Sequence, residues 1–158
     1  MKIIILGKGY VGNHLFKKLS EHSGRYGERS NVQIYSKDEL DYTDNYSLLQ
    51  EINVMEDTYV INCSGFTGRP NVDEGESKKE ECWKYNVEVP LNLNKACNEL
   101  GAQIIHITSG CIYTGYEKEW EEDDTPNFGI YSNESSFYSK SKHAFETLSD
   151  TGLHLRIR

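Results

Sequence analysis

The chain has 158 residues, 37% of them hydrophobic and 27% charged, with a formal net charge of −8. That length supports one domain with a real core, burying roughly 70% of the unfolded surface, and the composition is that of a soluble globular protein. The acidic balance argues against a nucleic-acid surface and against polybasic membrane binding; no apolar run approaches the roughly 18 residues of a membrane-spanning helix, and MKIIILGKGY is too short and too glycine-rich for a secretion signal.

Residues 2–6, KIIIL, are a short β-branched apolar run bounded by glycine, as in a buried parallel strand. Val11, Leu15, Phe16 and Leu19 recur at helical spacing through 10–21, a polar loop covers 23–31, and VQIY at 32–35 is a second strand. Residues 45–52 read as a helix with Asp44 as its cap, and TYVIN at 58–62 as the third strand. A long helical tract runs from Ser77 to Leu100, stops at Gly101, and is expected to break or kink at Pro90. QIIHIT at 103–108 is the fourth strand, SKSKHAFETLSD at 139–150 a helix capped by Ser135 or Ser136, and LHLRIR at 153–158 the last strand. Strands alternating with helices call for right-handed crossovers, hence an α/β, doubly wound parallel sheet of the Rossmann kind. The sequence stops on an apolar strand, so residues 1–158 are expected to be the NAD(P)-binding N-terminal portion of a longer protein, without its C-terminal substrate subdomain. EKEWEEDD at 117–124 reads as a solvated acidic loop or as the base of a lid.

Cys63, Cys82, Cys97 and Cys111 are widely spaced and form no C-x-x-C pair. They point to free thiols in a reducing cytoplasm and to no metal site.

GKGYVG places Gly7, Gly9 and Gly12 in G-x-G-x-x-G spacing between the first strand and the first helix, the context in which this spacing signals a dinucleotide. Gly7 permits the turn, Gly9 the approach of a pyrophosphate and Gly12 close helix–sheet packing; Tyr10 and Val11 belong to the same loop. At the end of the second strand Ser36 and Lys37 suit a 2′-phosphate, which favours NADP, while Asp38 keeps NAD as the alternative. Asp41 sits where such domains contact adenine, or else is a turn residue. Asn62, Ser64 and Gly65 follow the third strand at its ligand-binding end and are expected to line the cofactor. Thr67, Arg69 and Asn71 come next, with Arg69 a cation for substrate phosphate or sugar oxygens.

Ser109, after the fourth strand, and Tyr138 with Lys142 in Y-x-x-x-K complete the constellation. Residues i and i+4 share a helix face at about 5–6 Å, and an ammonium about 5 Å from a phenol contributes roughly 3 kcal/mol at an effective dielectric near 20. Lys142 is therefore expected to draw Tyr138 down from a pKa near 10, so that Tyr138 can protonate a carbonyl oxygen as general acid while Ser109 holds that oxygen.

The glycine loop, Ser109, Tyr138 and Lys142 in this order resemble the extended short-chain dehydrogenase/reductase superfamily. NCSGFTGRPNVDEGE (62–76) and EEDDTPNFGIYSNESSFYSKSK (121–142) are similar to dTDP-4-dehydrorhamnose reductases, and most to the reductase part of plant UDP-rhamnose-forming 3,5-epimerase/4-reductases. The resemblance implies NAD(P)H-dependent reduction of a 4-keto-6-deoxy nucleotide sugar and a possible homodimer. It also implies that Lys142 holds the nicotinamide ribose and that Asn86 lies in the cofactor region. The Ser109-x-Cys111 spacing resembles GDP-fucose synthase and implies Cys111 as an epimerisation base; a strand-end thiol is the alternative. A second reading is a non-catalytic NAD(P)-binding module, similar to the regulatory subunit of methionine adenosyltransferase.

Overall fold

A computed structural model describes residues 1–22, 31–43, 53, 57–116 and 118–157. The expected loop at 23–31, apart from Asn31, and the expected helix at 45–52 with its cap lie outside these residues. Five parallel strands, β1 (Lys2–Leu6), β2 (Asn31–Tyr35), β3 (Thr58–Asn62), β4 (Gln103–Ser109) and β5 (Leu153–Ile157), form one sheet in the order β2-β1-β3-β4-β5. Ile4 pairs with Gln33 on one side and Val60 on the other, and His106 faces His154. The order reverses between β1 and β3, the switch point at which open sheets bind ligands.

Alternation along the strands sends Ile4, Leu6, Val60 and Ile104 to one face. There they pack with Val89, Leu93, Ala96 and Cys97 of helix α4 (Val89–Glu99). A fully buried side chain of this size contributes about 1.5–3 kcal/mol, so this face anchors the fold. Helix α1 (Tyr10–His22) lies against β1 and β2, its stripe of Val11, Leu15, Phe16 and Leu19 half-buried. Beyond α1, Tyr59, Leu153, Leu155 and Ile157 are 40–55% exposed, although a parallel sheet is ordinarily covered on both faces.

The expected helix from Ser77 to Leu100 is found as one helical run from Lys79 to Glu99, made of α3 (Lys79–Trp83), a π-helical stretch Lys84–Glu88 and α4, with the short α2 (Glu74–Ser77) before it. Lys78 leaves the helical region at φ −120°, ψ 49° and separates α2 from α3. No break occurs at Pro90: Glu88 and Val89 before it keep right-handed helical φ and ψ, and the π-helical stretch lies just before the proline, whose missing N–H cannot continue the ladder. The last helix, α5 (Phe137–Leu148), is capped by Ser136, whose hydroxyl accepts from the Ser139 N–H at 3.2 Å.

Candidate active site

The glycine turn is shaped for close contact. Gly7 has φ +105°, and a Cβ there would stand 2.9 Å from the Ser64 nitrogen. A Cβ at Gly12 would stand 1.9 Å from the Gly7 carbonyl oxygen. At Gly9 a Cβ would meet nothing within 4 Å, which leaves open space before the N-terminus of α1. Asn13 donates to the carbonyls of Lys8 (2.6 Å) and Gly9 (3.0 Å) and fixes the turn from within α1. Tyr10 is exposed beside it, its ring 6.5 Å from that of His14, and Val11 is half-buried.

At the end of β2 the structure adds a residue that the motif reading missed. The Glu39 carboxylate accepts from the Ser36 N–H at 2.9 Å and from Lys8 of the glycine turn. These two partners hold its pKa below the usual carboxylate range, the Lys8 bond first. Lys37 donates to the Tyr85 hydroxyl. Asp41 accepts from the Thr43 N–H (3.1 Å) and hydroxyl (2.6 Å), so its side chain closes a local turn.

A cleft of about 480 Å³ opens at the C-terminal ends of β2 and β3, lined among others by Lys37, Ser64, Gly65, Thr67, Arg69 and Tyr85. Asn62 and Asn71 do not line it. Asn62 is 3% exposed and supports Ser64 from behind, its Oδ1 accepting from the Ser64 N–H (3.0 Å) and hydroxyl (2.6 Å). Asn71 accepts from the Asp73 N–H at 2.9 Å, a turn contact before α2.

Ser109, Tyr138 and Lys142 are brought together and buried, at 7%, 7% and 8% exposure. Ser109 ends β4, and its hydroxyl accepts from the Cys111 N–H at 3.2 Å as cap of a 3-10 turn, Gly110–Ile112. The Ser109 hydroxyl lies near enough to the Tyr138 phenol to favour its ionised form. The Lys142 ammonium is 5.7 Å from the Tyr138 ring centre and packs on Gly65, where a Cβ would stand 3.1 Å from Nζ. Asn86, in the π-helical stretch, clasps the loop after β3 to α5. Its Oδ1 accepts from Phe66 N–H (2.9 Å), and its Nδ2 donates to Phe66 O (3.1 Å) and to the Ser141 hydroxyl (3.0 Å).

The electrostatics correct one expectation. Burial pushes the Tyr138 phenol above its ordinary value; the nearby Ser109 hydroxyl works in the opposite direction but is outweighed. The same burial lowers Lys142 to about 8. The ammonium that was expected to acidify Tyr138 is itself desolvated, and it lies toward Gly65. Tyr138 is thus firmly protonated at neutral pH, the form a proton donor needs.

Cys111 is exposed, whereas burial raises Cys63 to about 11 and Cys97 to about 12. The Cys111 thiol is close enough to Tyr138 and Lys142 to act on both electrostatically. The acidic run is pinned rather than free. Arg156 of β5 donates to Glu122 O (3.0 Å) and to the Tyr113 hydroxyl (2.7 Å), and Tyr113 stacks on Trp120 at 5.0 Å. No group of three or more residues suited to a metal ion, and no helix long and apolar enough to cross a membrane, occurs among the described residues.

The model of the RmlD substrate binding domain family matches residues 1–151. A trifunctional UDP-glucose 4,6-dehydratase/UDP-4-keto-6-deoxy-D-glucose 3,5-epimerase/UDP-4-keto-L-rhamnose-reductase of Arabidopsis thaliana is 37% identical over 169 residues, covering 100% of this chain and 23% of the plant protein. A bifunctional dTDP-4-dehydrorhamnose 3,5-epimerase/dTDP-4-dehydrorhamnose reductase of the same plant is 36% identical over 153 residues, covering 92% of this chain and 46% of the other. The crystal structure of a dTDP-4-dehydrorhamnose reductase of Clostridium acetobutylicum superposes with a TM-score of 0.72 at 28% identity, over 93% of this chain and 48% of that one. The chain therefore spans less than half the length of these relatives, and they are the kind of protein that its motif strings resemble.

Proposed function

The chain belongs to the RmlD substrate-binding-domain family, and from that premise we propose that it carries the cofactor and proton-transfer part of a reductase. The substrate class is a 4-keto-6-deoxy nucleotide sugar of the UDP- or dTDP-4-dehydrorhamnose type. The observation that carries the reading is the convergence of Ser109, Tyr138 and Lys142, all buried, beside the loop Ser64–Gly65 and the glycine turn.

The residues present fit a nicotinamide dinucleotide. The space at Gly9 and the N-terminus of α1 would take its pyrophosphate, and Ser36, Lys37 and Lys8 would take the adenosine end, with NADP ahead of NAD. Ser64 and Gly65 would border it, and Lys142 would hold the nicotinamide ribose. When bound, it supplies a hydride to the ketone carbon. Ser109 donates a hydrogen bond to the ketone oxygen and orients it. Tyr138 delivers the proton that turns this oxygen into a hydroxyl. Lys142, as ammonium, lowers the cost of leaving negative charge on Tyr138. Thr67 and Arg69 reach the cleft from the side open to a phosphate or sugar.

Cys111 would add 3,5-epimerisation: a ketone acidifies the neighbouring C–H, and the thiolate form of this exposed cysteine would accept that proton and return one to the carbon. The reading further holds that residues 1–158 are the N-terminal portion of a longer reductase, in keeping with relatives of which the chain spans less than half. It also holds that the protein is cytoplasmic, consistent with its four free cysteines, and forms a homodimer. The test is NADPH consumption by the full-length protein with UDP- or dTDP-4-keto-6-deoxyglucose that has been epimerised. Turnover is expected, and dinucleotide binding without turnover on either sugar would favour the binding-module reading.

A further inference from the structure

A chain of hydrogen bonds runs beneath the sheet's ligand end, and its direction can be worked out link by link. It begins at a group that can only donate, the Ser64 backbone N–H, which meets Asn62 Oδ1 at 3.0 Å. That contact fixes the Asn62 amide, so its Nδ2 is the atom facing His106 Nδ1 at 3.1 Å. An amide NH2 has only donors, so His106 Nδ1 must accept and carry no proton. The ring proton then sits on Nε2 and is donated to Asn94 Oδ1 at 2.5 Å. The Asn94 amide is fixed in turn, and its Nδ2 donates to the Ser149 hydroxyl at 2.7 Å and to the Thr151 carbonyl at 3.2 Å. The relay ends at a group that can only accept. One assignment of amides and tautomer satisfies every link.

His106 is 1% exposed and stacks edge-on against Phe145 of α5 at 4.7 Å. Burial lowers its pKa to about 3, in keeping with a neutral ring. A proton on Nδ1 would set N–H against NH2 and break the relay at its centre.

We infer that neutral His106 is a positioning residue, holding Asn62 so that the Ser64–Gly65 loop keeps its shape against a dinucleotide, and tying that loop to the end of the helix that carries Tyr138 and Lys142. The functional half of this inference rests on the proposed dinucleotide reading; the tautomer half does not.

Two measurements on the full-length protein test it. Nitrogen-15 NMR of the His106 ring should show Nε2 protonated and Nδ1 bare from about pH 5 to 8; an Nδ1–H tautomer or a cation in that range overturns the relay. NADPH titration should give His106→Leu a dissociation constant about tenfold above wild type. His106→Gln, which can still accept from Asn62 and donate to Asn94, should recover to within about threefold. A folded His106→Leu that binds NADPH as wild type does overturns the positioning role. A wild type that takes up no dinucleotide sinks the proposed function instead, and should His106→Leu fail to fold, the tautomer measurement still decides the relay.

Discussion

Lys142 and Gly65 touch: a side chain of even one carbon at position 65 would press on the lysine ammonium, 3.1 Å away. That contact lets α5 and the loop after β3 meet, and it takes the cation out of water. The gap between the ordinary 10.5 and about 8 corresponds to about 3 kcal/mol held against folding. Below pH 8 both folded and unfolded chains carry the proton, so the cost is full. Between 8 and 10.5 only the unfolded chain keeps it, and wild-type stability rises with pH.

Lys142→Met is therefore expected to be more stable than wild type at pH 7, by about 1–3 kcal/mol in urea unfolding, with its advantage closing toward pH 10.5. Turnover should fall at least about 100-fold in the same variant. A Lys142→Met that is destabilised at neutral pH would show that the ammonium is stabilised in the fold, contrary to this account.

His106 shows the same direction of linkage, moved into the acid range. Its pKa is lowered from 6.5 to about 3 by burial, with smaller contributions from His154 and Lys142. Above 6.5 its contribution to stability is complete. As the pH falls toward 3 the unfolded state takes a proton that the folded state refuses, and stability drains away, by about 4–5 kcal/mol in total. His106→Gln should flatten this part of the stability–pH curve. An unchanged slope between pH 6.5 and 4 would assign the acid loss to other groups.

On the proposed reading, Glu39 governs the adenosine end. Its carboxylate engages both Lys8 and the Ser36 N–H, which are the donors a 2′-phosphate would use. Glu39→Gln removes the negative charge and frees Lys8. The ratio of kcat/KM for NADPH over NADH should rise about tenfold, measured with either cofactor at saturating sugar. A fall in that ratio would show that Glu39 assists NADPH through its neighbours.

Cys111→Ser should keep ketone reduction but lose epimerisation. The readout is solvent deuterium entering C3 and C5 of the sugar in the full-length protein, with a loss of about 100-fold or more. Full exchange in the variant would leave Cys111 as a strand-end thiol only.

Much of this was legible in the linear sequence because it is local. The G-x-G-x-x-G spacing, the alternation of strands and helices, the i, i+4 placement of Tyr138 and Lys142 and a serine cap at 135 or 136 each depend on a few adjacent residues; the structure selects Ser136. The relay was not legible, because Asn62 and His106 are 44 positions apart and Asn94 and Ser149 are 55 apart. Such pairs carry no periodic signal. The irregular helix was half-read: Pro90 marked the place, while the clasp from Asn86 to Phe66 and Ser141 depends on distant partners. The Tyr138 pKa was misjudged because spacing gives distance along a helix but not burial, and burial sets the sign here.

The proton donor is the most exposed point of the account. In Tyr138→Phe, dissociation constants for NADPH should stay within about twofold of wild type while kcat on a 4-keto-6-deoxy nucleotide sugar falls about 100- to 10,000-fold. A variant that reduces the sugar at the wild-type rate would show that some other group delivers the proton.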